Sequence, residues 1–512
     1  MGTFELLAII ALIALAVGNL FVGVTNDAVN FLNSAIAAKA APRKIILLAA
    51  SIGVLIGATF SDGIIEVARK GIFHPTFFTA TEAIIVFTAV AFADIILLDL
   101  YSTFGLPTST TVSIVFELFG AALVMAFWKV GGDFDAAWEA INSASAMKII
   151  LGILLSVGVA FTLGFIVQFV TRLLFTFDYK SRLKKFGFLW CGVALTSLMY
   201  FLLLKGGKHA SFMTDEMHGW IAANTLEVLG VCLVVFSIFS FFLIRRKVNI
   251  LKLIILIGTG ALALAFAGND LANFIGVSVG GVHAFLGSDL ADKLPTPTWV
   301  LTGAGVVMMI SIFISKKANS VVNTSINLAS KHQDAVKDWK RNIFAEKLTR
   351  IIVFLYGLVI WFIPKRIQAW IASRWDHHPE ADDEKKAFDL IRASVNLMVA
   401  AAVISYATSQ KLPLSTTYVT FMVVMGTSLA DGAWSRTCAP SRVTGVLTVI
   451  SGWFMTAFFA FVLAGITVTI LNFTHSYGVV FLAILVSVLI YQLLHVHNRR
   501  HHRKKAEGAT HW

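Results

Sequence analysis

Gly23-Val24-Thr25-Asn26-Asp27-Ala28-Val29-Asn30-Phe31 sets an aspartate between asparagines at the end of an apolar run that starts at Phe4. The cluster returns as Gly268-Asn269-Asp270-Leu271-Ala272-Asn273-Phe274, again behind an apolar run, 251–267. A run of about 20 apolar residues is what a helix needs to cross a bilayer. Both clusters therefore sit at the end of a predicted membrane helix, where a carboxylate costs about 2.5–3.5 kcal/mol on insertion scales. One Asn-Asp-x-x-Asn can arise by chance, whereas a duplicated intramembrane carboxylate marks a site.

A second pair of motifs follows the first in the same order. Leu106-Pro107-Thr108-Ser109-Thr110-Thr111 is matched by Leu412-Pro413-Leu414-Ser415-Thr416-Thr417. Proline suits the first turn of a helix, where its missing N–H is not needed. The free N–H groups and hydroxyls behind it would then face one point, with the positive helix end toward an anion. Two such half-helices would hold a tetrahedral oxyanion by neutral donors. Asp27 and Asp270 beside that anion would stack negative charge in a low dielectric, so cations must enter with it. Asn and Asp oxygens, with carbonyls of an unwound segment, suit Na⁺; protonation of the aspartates would do the same electrical work. The motifs predict symport and leave the ion open between Na⁺ and H⁺.

The rest of the chain agrees with a bilayer as solvent. Of its 512 residues, 57% are hydrophobic and 14% charged, with a mean hydropathy of +0.81; soluble domains carry about a quarter charged residues. The net charge is +12, and basic residues cluster in short stretches between apolar runs, namely 180–185, 245–252, 316–347 and 499–505. That is the pattern of cytoplasmic loops and not of a nucleic-acid surface. Cys191, Cys232 and Cys438 are scattered and form neither a disulfide framework nor a zinc site. The run after Phe4 lacks a basic leader and a cleavage site, and reads as a retained first helix.

The predicted class is all-α: a polytopic membrane protein with about 12 transmembrane helices. Breaks or re-entrant helices are expected near 23–41, 106–128, 270–288 and 413–430, where Gly, Ser, Thr or Pro interrupt the apolar pattern. The divisions are 1–178 as a first transmembrane repeat, 179–250 as connecting helices, and 251–315 as the first part of a second repeat. Next come 316–390 as a charged membrane-flanking insertion with one span near 348–364, 391–472 as the rest of the second repeat, and 473–512 as a C-terminal helix with a basic tail. The histidines of that tail, His495, His497, His501 and His502, fit no closed metal-ligand set.

These motifs resemble those of the inorganic phosphate transporter (PiT) family, the phosphate permeases. The resemblance rests on the Asn-Asp-x-x-Asn pair, on Gly105-Leu106-Pro107-Thr108-Ser109-Thr110-Thr111 with its second copy, in which Lys411 stands for glycine, and on Glu66-Val67-Ala68-Arg69-Lys70-Gly71. It implies an inverted-repeat homodimer in the cell membrane that moves inorganic phosphate with Na⁺ or protons. It also implies the site roles: Asn30, Ser109, Thr110, Thr111, Asn273, Ser415, Thr416 and Thr417 on phosphate, and Asn26, Asp27, Asn269 and Asp270 on the cation. Asp27 and Asp270 would be the Na⁺ ligands, and Glu66 a candidate coupling residue. No cofactor beyond the coupling ion and no nucleic-acid partner is expected; lipid is the surrounding partner.

Family members commonly carry histidine after Ser-Thr-Thr. Val112 and Tyr418 stand there instead, which removes a histidine relay and favours Na⁺. Asp94, Asp99 and Glu117 flank the first Ser-Thr-Thr run without counterparts in the second half; each is either a contact between helices or an extra cation or proton site. Counting spans makes the helices leading into the two Asn-Asp motifs the first and the eighth, which would run in opposite directions. The alternative reading is a proton-coupled phosphate or sulfate permease. An enzyme is disfavoured: the chain offers no Gly-x-x-x-x-Gly-Lys, no His-Glu-x-x-His and no nucleophile–base pair.

Overall fold

The structure is a computed structural model that describes all residues except 1, 62–71, 202–213, 288–295, 333–338, 340–342, 376–385, 410–413, 435–437 and 507–512. Glu66 and Pro413 lie outside the described residues. Among those described, the regular elements are helical. Among the described residues nine helices are long and apolar enough to cross a membrane, with Thr3–Ala37 (α1 and α2 below) counted as one, and a bent pair makes a tenth. In chain order, α1 is Thr3–Asp27, α2 Val29–Ala37, α3 Arg43–Thr59, α4 Ala80–Phe104, α5 Thr110–Lys129, α6 Phe134–Trp138, α7 Ser143–Phe175 and α8 Tyr179–Phe201. The chain continues with α9 Asp215–Ala223, α10 Thr225–Arg245, α11 Ile250–Phe285, α12 Thr298–Ile314, α13 Lys317–Ala329, α14 Ile343–Trp361 and α15 Lys365–Arg374. It ends with α16 Leu390–Ser409, α17 Thr416–Ala430, α18 Ala439–Thr474 and α19 Ser476–Ala506.

Burial separates an inner from an outer set of helices. In α4 the apolar window is 89% buried and in α10 11%. The outer faces carry exposed Leu155, Leu226, Val231 and Phe242, an apolar belt suited to hydrocarbon.

The two halves exchange partners. Helix α5 of the first half packs on α18 of the second, and α17 of the second packs on α7 of the first. Glycine permits both approaches, as small residues do between membrane helices. A Cβ on Gly120 of α5 would lie 2.2 Å from the Phe461 carbonyl of α18, and one on Gly426 of α17 would lie 2.2 Å from the Phe161 carbonyl of α7. Each of these glycines is ten residues after the first threonine of its helix. Gly53 and Gly57 of α3 likewise bring α11 close, against the carbonyls of Gly260 and Leu264.

The breaks fall elsewhere than expected in part. No re-entrant element begins at 270: α11 runs unbroken through Asp270 from Ile250 to Phe285. The first copy is barely interrupted, since Ala28 keeps right-handed helical angles and joins α1 to α2. The unwound carbonyls expected as cation ligands are therefore engaged in helix bonds such as Ala28 N to Val24 O at 2.9 Å and Leu32 N to Ala28 O at 3.0 Å. The small residues after Asn273 serve packing instead. Ser278 donates to the Leu12 carbonyl at 3.0 Å, and a Cβ on Gly281 would lie 2.4 Å from Leu12.

The other two expected elements are present as helices that start within the Ser-Thr-Thr runs, the 20-residue α5 and the shorter, 15-residue α17. A sharp bend of 70° separates α12 from α13. That bend turns the start of the charged 316–390 stretch inward. Val321, Val322, Ser325 and Ile326 of α13 are buried, and α13 packs on α1, α2 and α4. A surface location, as read from the charge, does not hold for α13, because its lysines flank an apolar face.

Candidate functional site

Asp27 closes α1 and Asn30 sits in the first turn of α2; Asp270 and Asn273 lie one turn apart on α11. Helices α5 and α17 bring their N-termini to these residues. Each starts the same way. Ser109 has φ −104° and ψ 117° and accepts from Val112 N at 3.2 Å; Ser415 has φ −100° and ψ 119° and accepts from Tyr418 N at 3.2 Å. Ser109 and Ser415 are thus N-caps. Pro107 lies before the cap and not in the first turn, its carbonyl bonded to Trp453 Nε1 at 3.1 Å.

With the serines committed to the caps, the threonines face the carboxylates. Asp27 Oδ2 accepts from Thr110 at 3.0 Å and Oδ1 from Thr417 at 3.0 Å. Asp270 Oδ2 accepts from Thr416 at 2.8 Å, and Oδ1 from Thr111 at 3.2 Å and from Asn273 Nδ2 at 2.9 Å. Each aspartate is held by one threonine of its own half and one of the other. The asparagines repeat the pattern: Asn30 Nδ2 donates to Thr417 at 2.9 Å and Asn273 Nδ2 to Thr111 at 3.1 Å. Both carboxyls are buried, at 0% and 1% exposure, and near enough to interact electrostatically.

Asn26 has another task. Its Oδ1 accepts from Thr108 N at 2.9 Å, and its Nδ2 donates to the Leu106 carbonyl at 3.1 Å and to Ser102 at 3.3 Å. It pins the loop that leads into α5. Gly105, at φ +69°, ends α4 and turns the chain into that loop. Asn269 lies beside Asp270 on α11 and is partly buried.

Thr420 escaped the sequence reading. Its hydroxyl donates to Asn30 Oδ1 at 3.1 Å, and a helical period counted on from Thr416 would have put it on the same face. Asp99 is resolved as a helix contact, bonded to Lys317 of α13 at 2.6 Å with both side chains buried.

The arrangement is two buried carboxylates bridged by neutral hydroxyls at two converging helix N-termini. The first N–H groups of a helix have no partner within it, so Thr110, Thr111, Thr416 and Thr417 present amides as well as hydroxyls. Such a centre can take an anion on the helix ends and cations on the carboxylates.

Comparison with known proteins identifies the family and the fold. Residues 23–318 match the model of the phosphate transporter family, a span that includes Asp27, Thr110, Thr111, Asp270 and Asn273. A protein assigned as a phosphate permease in Thermococcus kodakarensis is 28% identical over 325 residues, covering 58% of this chain and 75% of that protein. One assigned as a low-affinity inorganic phosphate transporter in Bacillus subtilis is 28% identical over 166 residues, covering 32% of this chain and 46% of that protein. The solved structure entitled the sodium-dependent phosphate transporter superposes with a TM-score of 0.62 at 18% identity, covering 92% of this chain and all of that one, and so shares its fold. With the paired motifs meeting at one buried centre and the family model spanning more than half its length, the chain belongs to the phosphate transporter family, as a multi-pass protein of the cell membrane and not an enzyme.

Proposed function

We propose that the protein is a cation-coupled symporter of inorganic phosphate, with Na⁺ as the coupling ion. The observation that carries the reading is the crossed hydrogen bonding of Asp27 and Asp270 to Thr110, Thr111, Thr416 and Thr417. In this reading phosphate lies at the N-termini of α5 and α17, and receives the threonine hydroxyls and free amides together with Asn30 and Asn273. Each threonine that turns to phosphate releases a carboxylate oxygen, and a cation fills that vacated contact. Anion and cation loading are then mutually dependent, since either alone leaves unbalanced charge in a low dielectric. Ser109 and Ser415 act through the caps, and Asn26 through the loop it pins. The absence of histidine at Val112 and Tyr418 and the name of the structural neighbour both support Na⁺. An inverted relation of the two halves and a homodimer complete the proposal; mass photometry in detergent reads the second.

The test is radiolabelled phosphate uptake into proteoliposomes under an imposed Na⁺ gradient, then under a proton gradient, with sulfate as competitor. Uptake driven by Na⁺ and indifferent to sulfate is expected. Uptake driven by protons alone would make the aspartates proton carriers, and sulfate uptake without phosphate uptake would overturn the substrate.

A further inference from the structure

A second pair of carboxyls lies outside this centre. Asp94 stands midway along α4 and Glu117 two turns into α5, at 2% and 0% exposure. Ser113, one turn before Glu117, donates its hydroxyl to Glu117 Oε1 at 2.7 Å, and the same hydroxyl interacts with the Asp94 carboxyl. Asp94 Oδ1 and Glu117 Oε2 are buried without any hydrogen-bond partner. The two carboxyls bear on one another electrostatically, and Asp94 also bears on Asp27.

The surrounding helices do not neutralise the pair. Helices α4 and α5 pack on each other and on α11 and α18; α4 also meets α1, α13 and α19, and α5 meets α6. On α1, Asp27 is held by threonines, and Glu5 at the far end by Thr81 at 3.1 Å. On α11 the charged groups are Asp270 in the main site, the exposed Lys252 and the terminal His283. Lys317 of α13 is bonded to Asp99, and Arg442 of α18 to the Leu328 and Ser330 carbonyls. Lys129 and Glu82, at the far ends of α5 and α4, pair at 2.7 Å. Asp135 of α6 is exposed, and Arg500 of α19 lies over the Phe104 ring. Among the described residues no salt bridge reaches Asp94 or Glu117.

A serine hydroxyl has one hydrogen. Given to Glu117, it leaves the contact with Asp94 as oxygen against oxygen unless a carboxylic acid supplies a second hydrogen. Two charged carboxylates would also be left in a low dielectric with orphaned oxygens. We propose that Asp94, Ser113 and Glu117 form a proton-binding site that holds one proton beside the transport centre. A proton taken from water joins Asp94 as its carboxylic acid, which donates to Ser113 Oγ while Ser113 donates to Glu117. On release it returns to water, and the pair goes from one negative charge to two. Through Asp94 the added charge opposes that of Asp27 and favours a cation at the centre, so protonation tunes coupled uptake; this part rests on the symport reading above.

The experiment is infrared spectroscopy of the full-length protein at neutral pH, without phosphate or Na⁺, followed by uptake at several pH values. A carbonyl band of a buried carboxylic acid is expected in the wild type. It should disappear in the near-isosteric double variant D94N/E117Q, shift in S113A and persist in D27N. The ratio of E117Q to wild-type uptake, in which the titration of phosphate itself cancels, should change with pH, with a limit of about tenfold per unit for one linked proton. A spectrum unchanged in both D94N/E117Q and S113A overturns the site. So does a pH-independent ratio, or a missing band together with ²²Na⁺ binding that E117Q abolishes. Because the band is read without transport, failure of the symport reading leaves it standing, while phosphate uptake without the band removes only this inference.

Discussion

At the scale of single residues, the site separates holding from binding. Asp27 and Asp270 accept hydrogen bonds in which amides are near-isosteric, so D27N and D270N should fold and remain monodisperse in detergent. Each should lose Na⁺-driven phosphate uptake by about 5–150-fold, the range that a coupling energy of 1–3 kcal/mol spans; wild-type uptake in either would remove the central role of the pair. The capping serines should behave otherwise. S109A and S415A remove a cap worth about 1 kcal/mol, which predicts a lower melting temperature with the apparent phosphate constant changed far less than by T110A/T111A. The aspartates could be read from sequence because a duplicated carboxylate in an apolar context has few bland explanations. The capping role could not, because Ser, Thr and Thr look equally suited to an anion until the backbone angle at Ser109 fixes which hydroxyl turns back to its own helix.

At the scale of elements, the glycines and the buried ion pair decide how the helices meet. A methyl on Gly426 or Gly120 would meet a backbone carbonyl that cannot turn aside. G426A and G120A should therefore each cost about 1–3 kcal/mol by overpacking, seen as reduced thermal stability. G131A, with no atom within 4 Å of the added carbon, makes a poor control because its φ of +72° is itself unfavourable; Gly158, with open space and no such angle, is the better one. Lys317 and Asp99 join α13 to α4 with both groups buried. K317M leaves a lone carboxylate and should destabilise by about 3–5 kcal/mol, whereas K317M/D99L should recover much of that loss. Charge density misled the reading of α13, since lysines at a helix start say nothing about the face that follows. The unbroken α11 was misread for a related reason. Glycine and serine inside an apolar run are equally the marks of a broken helix and of a close-packed one, and only the neighbour, here Leu12, distinguishes them.

At the scale of the whole molecule, the crossed bonding makes the centre a joint product of both halves. Ligands that bind it should stabilise the entire fold: phosphate with Na⁺ at a hundred times their dissociation constant should add about 2.7 kcal/mol. Melting curves in detergent should show a shift with both ligands larger than the sum of the shifts with each, and additive shifts would contradict mutual dependence. The all-helical membrane architecture was legible from apolar runs alone. The exchange of partners was not, because nothing in a repeat tells whether its copies pack within a half or across to the other.

Asp27 and the Thr417 hydroxyl that completes its coordination are 390 residues apart. At synthesis rates of about 5–20 residues per second, roughly 20–80 s separate their emergence from the ribosome. Throughout that interval the first helix rests in the membrane with its carboxyl half-served, and no rearrangement of the nascent amino-terminal portion can supply the missing partner. The newborn protein is thus an unfinished object with a polar wound in its middle. A chain cut short before residue 417 has the Thr110 hydroxyl for Asp27 and lacks that of Thr417.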